Sequence, residues 1–572
     1  MATSEPDSDQ RSTAEAYLEL LTARGVEYLF GNAGTDFGPI IDAYARRLAV
    51  GQPAPHPIAV THEITAMAMA HGYGMVSGAT PVVMVHTVAG TANSVGGLIN
   101  ANRARVPMLV TAGRTPLTEG DALGSRDIHI HWAQESFDQG AMVREWVKWD
   151  YELRSGSDLG EVVDRALAIA ASDPTGPVYL TLPREVLAAP HTGPGPTAAP
   201  IMQPGSVVPE PSTLVSAADA LAAADNPILI TRSAGRDPDA VASLGRLADV
   251  LGAPVFDPYP THSNLDLTHP LLLVAAPDRF LAEADAVVVV DADVPWTPKR
   301  ARPSPSATVI GIGTDPLHVR YPVRGFPVEV NLSGRVGHTL GALAELLAGR
   351  IDPEDRARRR AKWTDRAAGE RAAASARADA GDAAATLEKP WFSKVLDELL
   401  PDDALLVDEL GCDVGQLTLE GPSRFFGVSQ AGVLGWGLGA ALGAKLAAPD
   451  RTVVGIVGDG SYLFGVPTTA HWAARRYDLP VLYLVWNNAK WRAVEGATRM
   501  VYPDGWAARS GSFAFSDLRP PVDYEVVCQA AGGMGERVED PAELPGAIER
   551  ALKAVADGRQ ALLNLIAHDP SG

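Results

Sequence analysis

The sequence predicts an α/β protein of three domains, each a parallel β-sheet flanked by helices. Apolar strand-like runs alternate with helix-period segments along the chain, which is typical of parallel sheets with crossover helices. The 572 residues suit three to four domains of roughly 150 residues each. Two segments interrupt the alternation, a Pro- and Gly-rich linker over 190–211 and a charged, exposed helix over 354–385. We therefore predict domains at 1–190, 205–350 and 390–572.

The predicted strands are short apolar runs of the length expected for buried parallel strands. They cover 82–85, 108–111, 178–182, 228–231, 286–290, 308–310, 404–407, 453–457 and 481–486. The first and third predicted domains are similar in size and α/β content, and no short internal repeat is present.

Charge and cysteine content exclude several classes of partner. Lys and Arg total 48 against 69 Asp and Glu, a net charge of −21, which repels the phosphates of nucleic acid. Two cysteines, Cys412 and Cys528, are too few for a disulfide framework and favour a reducing compartment. The polar N-terminal segment lacks the apolar core of a secretory signal, and no apolar run reaches the about 18 residues of a membrane span. We expect a cytoplasmic protein that binds neither nucleic acid nor a membrane.

A candidate metal and phosphate site follows two predicted strands of the third domain. The first strand ends in Gly-Asp-Gly-Ser at 458–461, and after one crossover the second ends in Asn-Asn at 487–488. Loops that follow parallel strands emerge at one edge of the sheet, so they should lie together. The Asp459 carboxylate, the Asn488 amide oxygen and the Lys490 carbonyl suit Mg²⁺, and the N-H groups of Gly460 and Ser461 suit phosphate. Two ordinary turns would give the same sequence pattern, and they are the alternative to a binding site.

These motifs resemble the thiamine diphosphate signature, and the chain length resembles the group of acetolactate synthase, benzoylformate decarboxylase and pyruvate oxidase. The resemblance spans nearly the whole chain. It implies the three-domain thiamine diphosphate-binding fold: a pyrimidine-binding domain, a Rossmann-like central domain and a diphosphate-binding domain. It also implies thiamine diphosphate and Mg²⁺ as cofactors. A homodimer or homotetramer is implied too, with Glu63 of one subunit facing Asp459 of another.

The resemblance extends to the cofactor contacts. Glu63, in VTHEITAMAMAHGYG, matches a glutamate that touches the aminopyrimidine and holds a proton there; the alternative is a charge at a helix start. In QAGVLGWGLGAALGAK, Leu434 falls where an apolar side chain separates the two cofactor rings, and the Gly432 carbonyl accepts from the amine. Close helix packing is the alternative. Gly411 joins the candidate cofactor-binding residues.

Three residues of the first domain are further candidates: His86 as a catalytic and substrate-binding residue, Thr35 as a substrate contact and Gln134 as a catalytic residue. His86, in VHTVAGT, resembles an active-site histidine of benzoylformate decarboxylase, and its place at the end of a strand before a glycine turn lets it face the cofactor. Thr35, in GNAGTDFGPI, stands where that family has serine. Gln134, in HWAQESFDQ, resembles a glutamine near the thiazolium in the acetolactate synthase branch. A structural role for His86 is the alternative.

Glu495 lies seven residues after Asn488, which corresponds to two helical turns and one helix face. An acid there could exchange a proton with a substrate hydroxyl. Yeast-type pyruvate decarboxylases have their glutamate one residue earlier, where this chain has Val494. A solvated helix charge is the alternative.

The central domain is less informative. Gly311 and Gly313 are followed by Pro316 where a dinucleotide fingerprint needs glycine, so no redox flavin is expected. A short basic run in an otherwise acidic chain suits the phosphates of CoA or ADP, although solvated side chains explain it too. The run consists of Lys299, Arg300 and Arg302.

The sequence therefore predicts a thiamine diphosphate- and Mg²⁺-dependent lyase of carbon-carbon bonds acting on a small molecule. The first hypothesis is cleavage of a 2-hydroxyacyl-CoA to a ketone or aldehyde plus formyl-CoA, with Glu495 as base and the basic run holding CoA. The second is a 2-oxo-acid decarboxylase or carboligase, suggested by His86 and Thr35. A non-catalytic assembly protein of the same fold is a third, although it would not need Glu63 and Asp459.

Overall fold

The computed structural model describes residues 11–567 apart from 198, 201 and 203. Residues 1–10, on which the prediction of no secretory signal partly rests, lie outside the described residues. The chain forms two compact units. One comprises Met1–Gly205, Ser429–Pro449 and Phe464–Ala473, and the other Ser206–Val428, Asp450–Leu463 and Ala474–Gly572. Within the described part of the chain, no helix combines the length and apolar character needed to cross a bilayer. The three predicted domain ranges stay predictions.

Six parallel strands form the first sheet: β1 (Tyr28–Asn32), β2 (His56–Ala59), β3 (Val82–Val85), β4 (Met108–Arg114), β5 (Asp150–Glu152) and β6 (Pro177–Pro183). Their order across the sheet is β2-β1-β3-β4-β6-β5. The inner strands β3, β4 and β6 are buried almost throughout, which is why they read as unbroken apolar runs. The helices are α1 (Thr13–Ala23), α2 (Gly38–Ala49), α3 (Glu63–Ser77), α4 (Thr87–Ala104), α5 (Ile130–Ala133), α6 (Leu159–Ala171) and α7 (Arg184–Ala188).

The second sheet is also parallel: β7 (Pro227–Thr231), β8 (Val255–Phe256), β9 (Leu272–Leu273), β10 (Ala286–Val290), β11 (Thr308–Gly313) and β12 (Val330–Ser333). Its order, β12-β11-β10-β7-β8-β9, is that of a Rossmann sheet. Its helices are α8 (Pro211–Ala222), α9 (Asp239–Leu251) and α10 (Val336–Leu347), followed by the long, largely exposed α11 (Pro353–Asp379).

The third sheet comprises β13 (Leu405–Glu409), β14 (Phe425–Gly427), β15 (Val453–Gly458), β16 (Leu482–Asn487), β17 (Met534–Val538) and β18 (Ala561–Ile566). Its order is β14-β13-β15-β16-β18-β17. Counted from its own first strand, this is the strand order of the first sheet. The remaining helices along the chain are α12 (Lys389–Leu399), α13 (Trp436–Ala447), α14 (Asp459–Phe464), α15 (Pro467–Arg476), α16 (Arg492–Val501), α17 (Trp506–Ser510), α18 (Tyr524–Ala530) and α19 (Leu544–Ala556).

The strand order fixes where loops can form a crevice. In the first sheet β1 lies between β2 and β3. The connection after β1 runs towards β2 and the connection after β3 runs towards β4, on the opposite side, so the loops after β1 and β3 diverge. In the third sheet the same divergence occurs between β13 and β15. Ligands of open α/β sheets bind at such points, beyond the carboxyl ends of the strands. Thr35 and His86 follow β1 and β3, and Gly411 and Asp459 follow β13 and β15.

The glycine-rich helix α13 packs closely on α3 within the first unit. A Cβ built on Gly443 would lie 1.8 Å from the Met69 carbonyl oxygen, and one built on Gly72 would lie 2.1 Å from that of Ala440. His71 of α3 is buried edge-on against Trp436, and burial lowers the pKa of His71 to about 3. The glycines of this segment therefore serve close packing, the alternative raised from the sequence.

Candidate active site

Glu63 is a buried carboxylate held by two amide donors. It is the first residue of α3 and lies next to the positive end of the helix dipole. Only 4% of Glu63 is exposed. Asn32 Nδ2, at the end of β1, donates to Glu63 Oε1 at 2.8 Å, and Asn93 Nδ2, from α4, donates to Oε2 at 3.0 Å. Gly90 leaves room for this carboxylate, since a Cβ there would lie 3.2 Å from Oε1.

His86 is paired with an acid that the sequence analysis did not single out. His86 Nδ1 lies 2.5 Å from Asp36 Oδ1, and Asp36 is 3% exposed. The hydrogen bond that the His86 imidazolium donates to Asp36 raises the pKa of His86 above its ordinary value, although burial opposes it. The predicted glycine turn after His86 is wrong: His86 caps α4, which begins at Thr87 with φ of 37°.

Gln134 and Thr35 lie in the same region of the first unit. Gln134 directly follows α5 and faces the His86 imidazole, where it also raises the pKa of His86. Its Oε1 is buried, with no hydrogen-bond partner among the described residues. Thr35 begins a short 3₁₀ turn, Thr35–Phe37, and is exposed next to buried Asp36.

The loop before α13 contains Gly432 and Leu434. Gly432 has φ of 59°, in the region that favours glycine, and its N-H donates to the Ser429 carbonyl at 2.9 Å. Asn100 of α4 fastens the loop: its Nδ2 donates to the Val433 carbonyl at 2.8 Å, and its Oδ1 accepts from Ser429 Oγ at 2.8 Å. Leu434 is half-buried. The side-chain amide of Asn100 thus fixes the loop, and sequence reasoning missed this residue.

Asp459 is the central residue of the second unit's site. It begins α14 directly after β15 and is 2% exposed. Its Oδ1 accepts from the Gly460 N-H at 2.9 Å, whereas its Oδ2 is buried without a partner among the described residues. Burial raises the pKa of Asp459, opposed by nearby backbone N-H groups that include those of Ala489 and Lys490. The structure therefore brings together the loops that follow β15 and β16.

The other two predicted metal ligands, the Asn488 amide oxygen and the Lys490 carbonyl, lie on the loop that follows β16. Asn488 is half-buried, and its Oδ1 accepts from the Lys490 N-H at 3.1 Å. The Lys490 carbonyl accepts from the Arg492 N-H at 3.0 Å. Each oxygen keeps a second lone pair, so both remain possible metal ligands. A buried, unpartnered carboxylate oxygen next to neutral oxygens fits a hard cation such as Mg²⁺. The described residues contain no group of three His, Cys, Asp or Glu that could hold a metal otherwise.

The N-H groups of Gly460 and Gly411 form hydrogen bonds within the protein, as that of Gly432 does. That of Gly460 donates to Asp459, and that of Gly411 donates to Asp408 Oδ1 at 2.9 Å. Gly460 is needed for packing, because a Cβ there would lie 2.2 Å from the Trp491 ring. In this conformation Gly460 is therefore not the free phosphate donor predicted from the sequence. Ser461 is buried in the first turn of α14.

The backbone that leads to Glu495 differs from the one predicted from the sequence. Helix α16 begins at Arg492, and Ala489 has φ of 54°, so residues 488–491 are not helical and the expected two turns of helix are wrong. Glu495 nevertheless lines a cavity of about 650 Å³ with Asn488 and Lys490. Its carboxylate lies 3.0 Å from Arg499 Nη2, and that hydrogen bond lowers the pKa of Glu495. A carboxylate so stabilised is a weak base.

In the second sheet, the basic run follows β10. Lys299, Arg300 and Arg302 are exposed, and none of them forms an ion pair with the residues that the structure describes. Gly311 lies within β11, where a Cβ would come within 2.9 Å of Val328, so it serves strand packing.

Three parallel six-stranded sheets flanked by helices, of which the first and third share one strand order, define a class of three-domain α/β proteins. Family models agree with this. The models described as thiamine pyrophosphate enzyme N-terminal TPP binding domain, central domain and C-terminal TPP binding domain match residues 11–142, 214–343 and 413–564. A Pseudomonas aeruginosa protein named "Probable 2-ketoarginine decarboxylase AruI" is 31% identical over 83% of this chain and 82% of its own. The chain belongs to the thiamine pyrophosphate enzymes.

Other similar proteins extend over nearly the full chain. Benzoylformate decarboxylase of Pseudomonas aeruginosa is 27% identical over 95% of this chain and 97% of its own length. Acetolactate synthase isozyme 3 large subunit of Escherichia coli is 26% identical over 96% and 93%. The solved structure of a thiamine diphosphate-dependent 4-hydroxybenzoylformate decarboxylase from Rhodococcus jostii RHA1 has a TM-score of 0.79 and 25% identity, covering 98% of this chain and all of that one. The chain is thus similar to decarboxylases and synthases that act on carbon-carbon bonds.

Proposed function

We propose that this chain decarboxylates a 2-oxo acid, or joins the resulting fragment to a second carbonyl compound, using thiamine diphosphate and Mg²⁺. The observation that carries this proposal is the His86–Asp36 pair at the carboxyl edge of the first sheet. A cationic imidazole there suits a substrate that bears a carboxylate. Benzoylformate, 4-hydroxybenzoylformate and 2-ketoarginine, the compounds in the names of three similar decarboxylases, are all 2-oxo acids.

The second unit supplies the anchor for the cofactor. Asp459, the Asn488 amide oxygen and the Lys490 carbonyl would hold Mg²⁺, and the unpartnered Oδ2 of Asp459 supports this assignment. Ser461 would approach the diphosphate at the start of α14. The chemistry that thiamine diphosphate supplies when bound is a nucleophilic carbon and an electron sink.

The first unit would supply the proton-handling groups. Glu63 would hold a proton against the aminopyrimidine, with Asn32 and Asn93 fixing the carboxylate in place. Leu434 would pack between the cofactor rings, and the Gly432 carbonyl would accept a hydrogen bond from the amine. His86 and Gln134 would contact the substrate, with exposed Thr35 at the entrance.

We also propose a homodimer or homotetramer with sites between subunits. Large apolar side chains that a subunit interface would cover are exposed, among them Phe137, Trp506 and Phe515. Mixing Glu63→Gln and Asp459→Ala subunits tests the arrangement. If the two residues meet across an interface, hybrid dimers regain one intact site and random mixing restores about a quarter of the wild-type activity. If both residues serve one site within a chain, mixing restores nothing.

A 2-hydroxyacyl-CoA lyase is the second candidate. The exposed basic run formed by Lys299, Arg300 and Arg302 favours it, because side chains without an ion pair remain available for the phosphates of CoA or ADP. The lowered pKa of Glu495 disfavours it, because that carboxylate was the expected base. The cytoplasmic location rests on the low cysteine count and stays a prediction.

One comparison separates the two candidates. The protein reconstituted with thiamine diphosphate and Mg²⁺ is titrated with CoA and with a 2-oxo acid by calorimetry, and carbon dioxide, aldehyde and formyl-CoA release are then assayed. We expect turnover of a 2-oxo acid with release of carbon dioxide, and its loss in His86→Ala with cofactor binding retained. Saturable CoA binding that disappears when the basic run is changed to alanine, with no 2-oxo acid turnover, would instead establish the lyase.

A further inference from the structure

Asp36 is the buried acid that faces His86, and residues in or directly after three neighbouring strands surround the pair. It follows β1 in the turn Thr35–Phe37, His86 follows β3, and Gly113 lies within β4. A Cβ on Gly113 would lie 1.6 Å from Asp36 Oδ2, and one on Gly34 would lie 2.2 Å from the His86 ring. Two glycines therefore leave the space that the pair occupies, and the close fit limits other placements of either side chain.

The hydrogen bond between His86 and Asp36 gives the two nitrogens of the His86 imidazole different roles. Nδ1 is occupied by Asp36 Oδ1 at 2.5 Å, so Nε2 is the nitrogen that can serve a bound molecule. The His86 side chain is 18% exposed, against 3% for Asp36. Solvent and substrate thus reach the histidine and not the acid, which can act only through its neighbour.

We propose that Asp36 is a positioning residue that keeps His86 as an imidazolium whose Nε2-H binds the carboxylate of a 2-oxo acid. This inference rests on the proposed function and adds the feature that selects an anionic substrate. A charged donor binds a carboxylate more strongly than a neutral one, so losing the charge weakens anionic substrates more than neutral aldehydes.

The surroundings of His86 support a cationic state. Within its unit the charged groups that act on it are Asp36, from the turn after β1, and Glu63, from the start of α3, and both raise the pKa of His86. Gln134 adds a third contribution in the same direction, and burial alone opposes them. The imidazolium is therefore retained above pH values at which an ordinary histidine, with a pKa of about 6.5, has lost its proton.

The first test follows the protonation of His86 directly, without any substrate. Histidines labelled with ¹³C at Cε1 are titrated by NMR in the wild-type protein, and His86 is assigned from the signal that His86→Gln lacks. We expect its midpoint to lie above 6.5, the ordinary value for histidine. In Asp36→Asn the midpoint should fall towards the ordinary value, and in Asp42→Asn, an exposed carboxylate on α2, it should stay unchanged. A wild-type midpoint at or below 6.5 overturns the inference, even if Asp36→Asn does not fold.

The second test measures kcat/KM for a 2-oxo acid between about pH 5 and pH 9. In Asp36→Asn we expect the decline of kcat/KM at high pH to begin at a lower pH than in the wild type, so the loss is large on the alkaline side and small near pH 5.5. In a His86→Gln background, Asp36→Asn should cost nothing further. A uniform loss at all pH values, or an added loss in that background, refutes action through His86. If no 2-oxo acid is turned over but the NMR midpoints behave as expected, the proposed function fails and the pairing stands.

Discussion

Replacing Glu63 with glutamine changes one buried carboxylate into an amide of nearly the same shape. The native carboxylate accepts one hydrogen bond on each oxygen, from Asn32 at 2.8 Å and from Asn93 at 3.0 Å. Glutamine has one acceptor oxygen, so its NH₂ group must face one of the two asparagine donors. The variant therefore keeps one hydrogen bond and loses the other.

The cost follows from these contacts. A buried donor left without an acceptor costs about 1–3 kcal/mol. Loss of the negative charge at the first residue of α3 removes a further ~0.3–1 kcal/mol. We therefore expect Glu63→Gln to destabilise the first unit by about 1–4 kcal/mol without unfolding it. Its effect on turnover should be larger, roughly 100- to 10,000-fold, because an amide cannot exchange the proton that Glu63 is proposed to hold.

Turnover of a 2-oxo acid at saturating thiamine diphosphate and Mg²⁺ measures the catalytic loss, and the thermal midpoint measures the stability loss. Glu161→Gln, an exposed change in the first turn of α6, is the matched control: it should leave turnover unchanged and cost only the ~0.3–1 kcal/mol that a lost charge at a helix start removes. Turnover of Glu63→Gln within a factor of about three of wild type would refute the proton-holding role. A large fall in turnover explained entirely by lost cofactor binding would refute it as well.

Three further predictions concern other parts of the chain. Asp459→Asn should weaken Mg²⁺-supported binding of thiamine diphosphate at least about tenfold by calorimetry, and unchanged affinity would exclude Asp459 as a ligand. Gly443→Ala places a methyl group 1.8 Å from the Met69 carbonyl in the α3–α13 contact, so the thermal midpoint should fall by the equivalent of ~1–3 kcal/mol. Burial raises the pKa of Asp257 to about 7, so the folded state keeps a proton that the unfolded chain releases near pH 4, and this contribution to stability falls as pH rises to about 7. Asp257→Asn should reduce that fall, measured as thermal midpoints at about pH 5 and pH 8.

The fold could be predicted because buried parallel strands leave an unbroken apolar signal. Every predicted strand overlaps one in the structure, for example 453–457 within Val453–Gly458. Leu272–Leu273 and Asp150–Glu152 were missed because they are brief and lie at sheet edges. Tyr28–Asn32 and the fully buried Ala561–Ile566 lie inside their sheets and were also missed, so an apolar run alone does not identify every inner strand. The common strand order of the first and third sheets has no local signal, since it depends on which strands pair across long separations.

The site was predictable where a motif follows a strand, as for Asp459 and Asn488. It was not predictable where the partner comes from another strand or helix. Asp36 is next to Thr35 in the sequence, yet its pairing with His86 depends on β1 and β3 being neighbours. A carboxylate in the loop after the first strand, at the point where connections diverge, is the signal that could have found it. Glu495 was misplaced because Ala489 adopts a left-handed conformation that helix spacing does not reveal.

Sharing one strand order, the first and third sheets separate the tasks of the protein between two sets of loops on equivalent frameworks. The frameworks themselves are apolar and interchangeable in outline, so the chemical difference lies in the few residues after each strand. Under the proposed function, new substrate preferences arise by changing loops of the first sheet, such as the turn that contains Thr35 and Asp36, while the proposed metal anchor around Asp459 stays intact. Such a division lets one architecture diversify into many activities without rebuilding its means of holding a cofactor.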